Sequence, residues 1–257
     1  MDRLDTEVGV DAGVAPARFG AWQALLAFAI VLGAQFATGI AMIVVGMVIS
    51  IIGGLNPNDQ AATTLAVDRM MPGLLLAGAV VTLLMTWAML RVFAPDLARD
   101  RTPNGLGLLS PGARRLALWA IAGVALNAAY QGLVRFIPTT WEGGPLAKMA
   151  AGGSAGRFVI AVVAVLLAPY MEELLFRGLM LRGLLASWGV TAAGIVVTLL
   201  FFALHLFDTA GYWPAMLAIL SLAVLALVAR LRSGSVYAAV AAHTGYNLTA
   251  IVTLYLL

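Results

Sequence analysis

Two adjacent carboxylates and an arginine, Glu172, Glu173 and Arg177, interrupt an apolar run that reads APYMEELLFRGLM over residues 168–180. An ionised side chain inside hydrocarbon costs about 2.5 kcal/mol or more, so these three need a chemical or a structural reason. The only two histidines lie in similar settings, His205 in FFALHL at 201–206 and His243 in AAHTGYN at 241–247. A carboxylate, two imidazoles and the amide of Asn247, converging in a dry site, suit hydrolysis. Glu172 can act as general base on a water, and His205 can hold that water or share its proton. His243 and Asn247 can donate hydrogen bonds to the developing oxyanion. No serine or cysteine nucleophile is needed. A second arrangement uses the same atoms: Glu172, His205 and His243 make a three-ligand zinc set with an open position for water. Glu173 would then be the base, although pairing with Arg177 argues against that. Residue types alone leave both arrangements open.

The elements that must position these groups are membrane helices. The 257 residues are 62% hydrophobic and 11% charged, against roughly 25% charged in a soluble domain. No charge lies between Arg18 and Asp59, Arg69 and Arg91, Arg115 and Arg135, Arg182 and Asp208, or Asp208 and Arg230, or after Arg232. About 20 apolar residues cross a bilayer. The reading is therefore an all-α polytopic bundle of about seven spans, near 21–51, 71–91, 115–136, 157–187, 189–208, 212–231 and 235–257. The apolar runs are continuous rather than alternating, which argues against a β-barrel. The first run is longer than one crossing needs, so it must tilt, break near Gly39 or Gly46, or follow the interface; a short eighth span has room only there. Acidic residues Asp2, Asp5, Glu7 and Asp11 argue against a cleavable signal peptide. No repeat or linker divides the chain. It reads as a tail at 1–20, motif-free spans over 21–136, and a C-terminal set over 157–257 that carries the chemistry.

Charge sets the expected orientation. Arg91, Arg99, Arg101, Arg114 and Arg115 fall in the loop after span two, Arg230 and Arg232 in the loop after span six, and Arg69, Arg135, Lys148 and Arg157 on the other side. The richer side is expected to be cytoplasmic, with the N-terminus in. The net charge of +3 reflects this bias and carries no nucleic-acid signal. The absence of cysteine rules out disulfides, iron–sulfur clusters and thiol nucleophiles.

Spacing predicts which groups meet. Glu172 lies 16 residues before Trp188 and His205 lies 17 after it, so a hairpin turning at Ser187-Trp188-Gly189 brings both to one depth. His243, nine residues past Gly234, joins that level if the hairpin projects roughly 10 Å beyond the surface. Glu173 with Arg177, Phe201 with His205, and His243 with Asn247 are each four apart and share a helix face. Pro169 removes an intrahelical hydrogen bond and is expected to kink its helix.

Together, Glu-Glu-x-x-x-Arg at 172–177, Phe-x-x-x-His at 201–205 and His-x-x-x-Asn at 243–247 resemble the three motifs of the CPBP family of intramembrane proteases. That family includes the CAAX endopeptidases and bacterial abortive-infection-type proteins. The resemblance covers roughly the C-terminal 100 residues. It implies a helical membrane peptidase whose site is reached from the cytoplasmic side. It implies that Glu172 and His205 activate water, that His243 and Asn247 stabilise the oxyanion, and that Glu173 and Arg177 are supports. The favoured chemistry needs no cofactor, because an asparagine one turn past His243 serves an oxyanion better than zinc. The expected partners are a peptide or membrane-protein substrate and lipid, and the short loops suggest a bacterial inner membrane.

Plainer readings stand beside these. Glu173 and Arg177 form an ordinary intramembrane ion pair, and a lone membrane histidine is as often a helix–helix hydrogen bond as a catalyst. Asp208 reads as a loop residue rather than a partner that orients His205. A transporter would spread polar residues along a path and repeat its sequence; a scaffold would break a motif. Neither feature is visible.

Overall fold

The computed structural model describes residues 19–137, 154–209 and 211–256. The described residues are mostly helical, with no strand among them, as the continuous apolar runs require. In chain order the elements are α1 (Ala21–Ile52), α2 (Gln60–Phe93), the short α3 (Pro95–Arg99), α4 (Ala113–Val134), α5 (Ser154–Val162), α6 (Ala168–Glu173), α7 (Leu181–Thr209), α8 (Trp213–Ser233) and α9 (Val236–Leu256). Two π-helical turns, Val163–Leu167 and Leu174–Met180, join α5 to α6 and α6 to α7. Five stretches are long and apolar enough to cross a membrane: Ala21–Ile52, Gln60–Phe93, Ala113–Val134, Gly156–Leu206 and Trp213–Ser233. The fifty-odd residues of the fourth are two arms. Gly189 has φ 73 and ψ 176, a conformation open only to glycine. Phe176 and Phe201 lie on either side of it, yet their rings are 5.2 Å apart, so the chain folds back as the expected hairpin. α9 carries His243, Asn247 and several threonines and tyrosines. It is not among the five.

Three expectations are corrected. α1 runs unbroken through Gly39 and Gly46, which leaves tilt or an interfacial course for its extra length. α2 begins eleven residues before the apolar run, because Asp59 accepts a hydrogen bond from the Ala62 amide and caps the polar first turns. Arg230 is not a loop charge: it lies inside α8, 1% exposed. Its guanidinium donates to the carbonyls of Arg177, Pro103 and Gly105. Gly107 and Leu109 are bonded to Val236 and Ser235. The loop after α3 and the α8–α9 turn therefore share one end of the bundle, as the arginine count implied. Gly189 is twelve residues past Arg177, and Gly234 is four past Arg230, so the hairpin projects roughly 10 Å farther than the α8–α9 turn.

The helix beneath the candidate site is held by close approach. A methyl on Gly245 of α9 would overlap the Ala120 carbonyl of α4, and one on Gly123 would overlap the Ala242 carbonyl. The two glycines let the backbones meet, the usual device of membrane helices. α9 thus lies between α4 and the run from α5 to α6.

Candidate active site

Three of the four predicted catalytic groups come together. His205 Nε2 stands 3.7 Å and His243 Nε2 4.0 Å from Glu172 Oε2. These gaps are too long for direct hydrogen bonds, and one water can bridge them. Glu172 Oε2 is buried and has no hydrogen-bond partner among the described residues. Glu172 and His205 keep 18% and 24% of their side chains exposed, whereas Glu173 and His243 have 0% and 3%. The site therefore has a dry floor and a partly open rim.

Each imidazole is fixed by its other nitrogen. His205 Nδ1 lies 2.9 Å from the Phe201 carbonyl. A carbonyl only accepts, so Nδ1 carries a proton, and Nε2 is the nitrogen that faces Glu172. The Phe201 ring stacks on His205 at 4.5 Å and also lies 4.5 Å from the Arg177 guanidinium. His243 Nδ1 lies 3.0 Å from Glu173 Oε1. That same oxygen accepts from Arg177 Nη1 at 3.1 Å, and Arg177 Nη2 donates to the Ala223 carbonyl at 2.8 Å. Glu173 is thus more than half of an ion pair: it links the buried arginine to the ring of His243. Four-residue spacing foresaw the pair with Arg177. It could not foresee the contact with His243, which joins residues 70 apart.

Asn247 does not meet the same atom as His243. Its Nδ2 donates to the Ala164 carbonyl at 2.7 Å, which occupies one of its two N–H groups. Thr244, absent from the sequence reading, donates to the Val165 carbonyl at 3.2 Å. A π-helical turn, Val163–Leu167, ends two residues before Pro169. The side chain of Asp208 lies outside the described residues.

Zinc was weighed on the same donors. Tetrahedral ligands at about 2.0–2.1 Å stand roughly 3.4 Å apart. Separations of 3.7 and 4.0 Å are several tenths wider. Among the described residues, no group of three or more His, Asp or Glu is spaced to hold a metal ion.

The segment that holds all three motifs also matches a known family. Residues 154–249 match the family model of the Rce1-like type II CAAX prenyl endopeptidases. This segment is a CPBP-family protease core. The match supports a peptidase of the CAAX intramembrane type, and the long apolar helices support an integral membrane protein. Helices α1 to α4 lie outside the match. No curated protein and no solved structure matches the chain.

Proposed function

We propose that the chain hydrolyses a peptide bond of a membrane-associated peptide or protein with a water activated by Glu172 and His205. The observation that carries this reading is the unpartnered, buried Glu172 Oε2, with His205 Nε2 at 3.7 Å and His243 Nε2 at 4.0 Å. A water between them donates one proton to Glu172 and the other toward the His205 lone pair. Glu172 takes its proton as the oxygen attacks the scissile carbonyl carbon. The resulting oxyanion takes hydrogen bonds from the second N–H of Asn247 and from His243. His243 serves as donor when its ring carries both protons, with Nδ1–H held by the Glu173 carboxylate. Collapse breaks the C–N bond, and the Glu172 carboxyl passes its proton to the leaving amine. Glu173 and Arg177 are supports in this scheme.

The two Nε2 atoms aimed at one point also favour a zinc reading, since ligating histidines are typically fixed through their other nitrogen. The chelator arm of the assay below decides between a free water and a metal-bound one. We further propose a bacterial inner membrane location, with the N-terminus and the arginine-rich end cytoplasmic.

The test is cleavage of a quenched-fluorescence peptide library by the protein in detergent. Wild type, Glu172→Ala and His205→Ala run side by side, each with and without a chelator. Loss of cleavage in both variants, with no effect of chelator on wild type, is the expected result. Equal traces for all three proteins would overturn the assignment of the base. Inhibition by chelator, reversed by zinc, would replace the free water with a metal-bound one.

A further inference from the structure

We propose that Thr244 is a positioning residue for Glu172: with Asn247 it takes the two main-chain carbonyls left over where the π-helical turn gives way to α, one by the missing N–H of Pro169 and one by the change of hydrogen-bond pattern. This deepens the hydrolytic reading above and rests on it. In the π-helical turn before Pro169, the Ala168 amide donates to the Val163 carbonyl, five residues back. The next amide in that pattern, at 169, would serve Ala164; in an α-helical pattern it would serve Val165. Residue 169 is proline and has no N–H. Ala164 and Val165 therefore face the loss of a main-chain partner at the place where π gives way to α. Those are the two carbonyls that α9 serves, Asn247 Nδ2 at Ala164 and Thr244 Oγ1 at Val165.

The choice of partner is unusual for a helical hydroxyl in this chain. Ser50, Thr64, Thr86, Thr209, Ser221 and Thr249 each donate to the carbonyl four residues back on their own helix. Thr244 reaches across to another helix instead. Its site lies one position after His243 and three before Asn247, so three of five consecutive positions on α9 bond the run that carries Glu172 and Glu173.

The consequence is directional. A π-helical turn inserts a residue and advances everything after it by about 100°. Glu172 lies three residues past Pro169. If the turn relaxes to α, Glu172 moves off the point that it shares with His205 and His243. Thr244 touches no reacting atom; it acts by holding the turn.

The test pairs stability with kinetics in the full chain in detergent. Thr244→Val removes the hydroxyl at matched shape and leaves the Val165 carbonyl unpartnered. The expected melting midpoint falls by roughly 3 °C or more. With Pro169→Ala, the restored amide can take one of the freed carbonyls, so the same Thr244→Val change costs at most about half as much. In the cleavage assay Thr244→Val is expected to lower kcat on the order of tenfold with KM unchanged, and Thr244→Ser to restore most of it. Equal costs of Thr244→Val in both backgrounds would overturn the brace. So would an unaltered kcat, or a failure of Thr244→Ser to rescue it. If wild type cleaves nothing, the hydrolytic reading fails on its own, while the stability cycle still decides whether Thr244 holds the turn.

Discussion

Glu173 is proposed to hold two things at once, and substitutions can separate them. It is 0% exposed, ion-paired with an equally buried Arg177 at 3.1 Å and bonded to His243 Nδ1 at 3.0 Å. Glu173→Gln keeps the shape and removes the charge. It leaves the Arg177 guanidinium buried without a counter-charge, a loss of about 3–5 kcal/mol. Removing both charges as Glu173→Leu with Arg177→Met is expected to recover most of that stability, because matched apolar groups often replace a buried ion pair at little cost. A residual loss of about 1–3 kcal/mol remains, since the Ala223 carbonyl loses its Arg177 donor. Activity is expected to behave differently. In the double variant His243 has no acceptor at Nδ1, so its ring is free to turn and to change tautomer. Loss of an orienting carboxylate costs on the order of a hundredfold or more in kcat. The assay is equilibrium unfolding in detergent alongside peptide cleavage, for wild type, the single variant and the double. A Glu173→Gln protein as stable as wild type would refute the buried-charge argument. A double variant that cleaves like wild type would refute the orienting role.

Other substitutions probe the scaffold. Gly245→Ala drives a methyl into the Ala120 carbonyl, with 2.9 Å to its carbon. Ordinary contact lies several tenths of an ångström farther, so α4 and α9 must part, at a cost of about 1–3 kcal/mol in the unfolding midpoint. Arg230→Met leaves the carbonyls of Arg177, Pro103 and Gly105 without their donor. It is expected to expose the loop after α3 to limited proteolysis while Glu172 chemistry persists. Phe201→Leu removes the ring that packs against both His205 and Arg177, and kcat is expected to fall roughly tenfold as the imidazole loses its stack.

Much of this was legible in the sequence, for reasons that can be named. Charges in a membrane run are so costly that Glu172, Glu173, Arg177, His205 and His243 stand out by type alone. The meeting of Glu172 and His205 followed from near-equal distances to one turn, and the Phe201–His205 stack from four-residue spacing. What could not be read depends on departures from α geometry and on contacts between distant residues. Pro169 announced a disturbance, yet periodicity assumes a fixed residue count per turn and cannot place a π-helical turn. Thr244 looks like any helical threonine until the Val165 carbonyl is known to need a donor. Arg230 read as a loop charge because its neighbours Arg232 and Ser233 end the helix; nothing local says that three carbonyls surround it.

The two adjacent glutamates explain why the motif needs both. Consecutive residues on a helix point about 100° apart, so Glu172 and Glu173 cannot share surroundings. Glu173 points inward, where Arg177 and His243 saturate one of its oxygens. Glu172 points to the rim, where its inner oxygen meets only the two Nε2 atoms at 3.7 and 4.0 Å. Each carboxylate keeps one oxygen without a partner among the described residues, but that of Glu172 stands beside the two Nε2 atoms on a side chain that is partly exposed. If the second π-helical turn, Leu174–Met180, were α instead, Arg177 would stand at a different angle to Glu173 while Glu172 stayed in place. The two turns on either side of α6 therefore act on different groups: the first sets the angle of both carboxylates, and the second seats the counter-ion of Glu173.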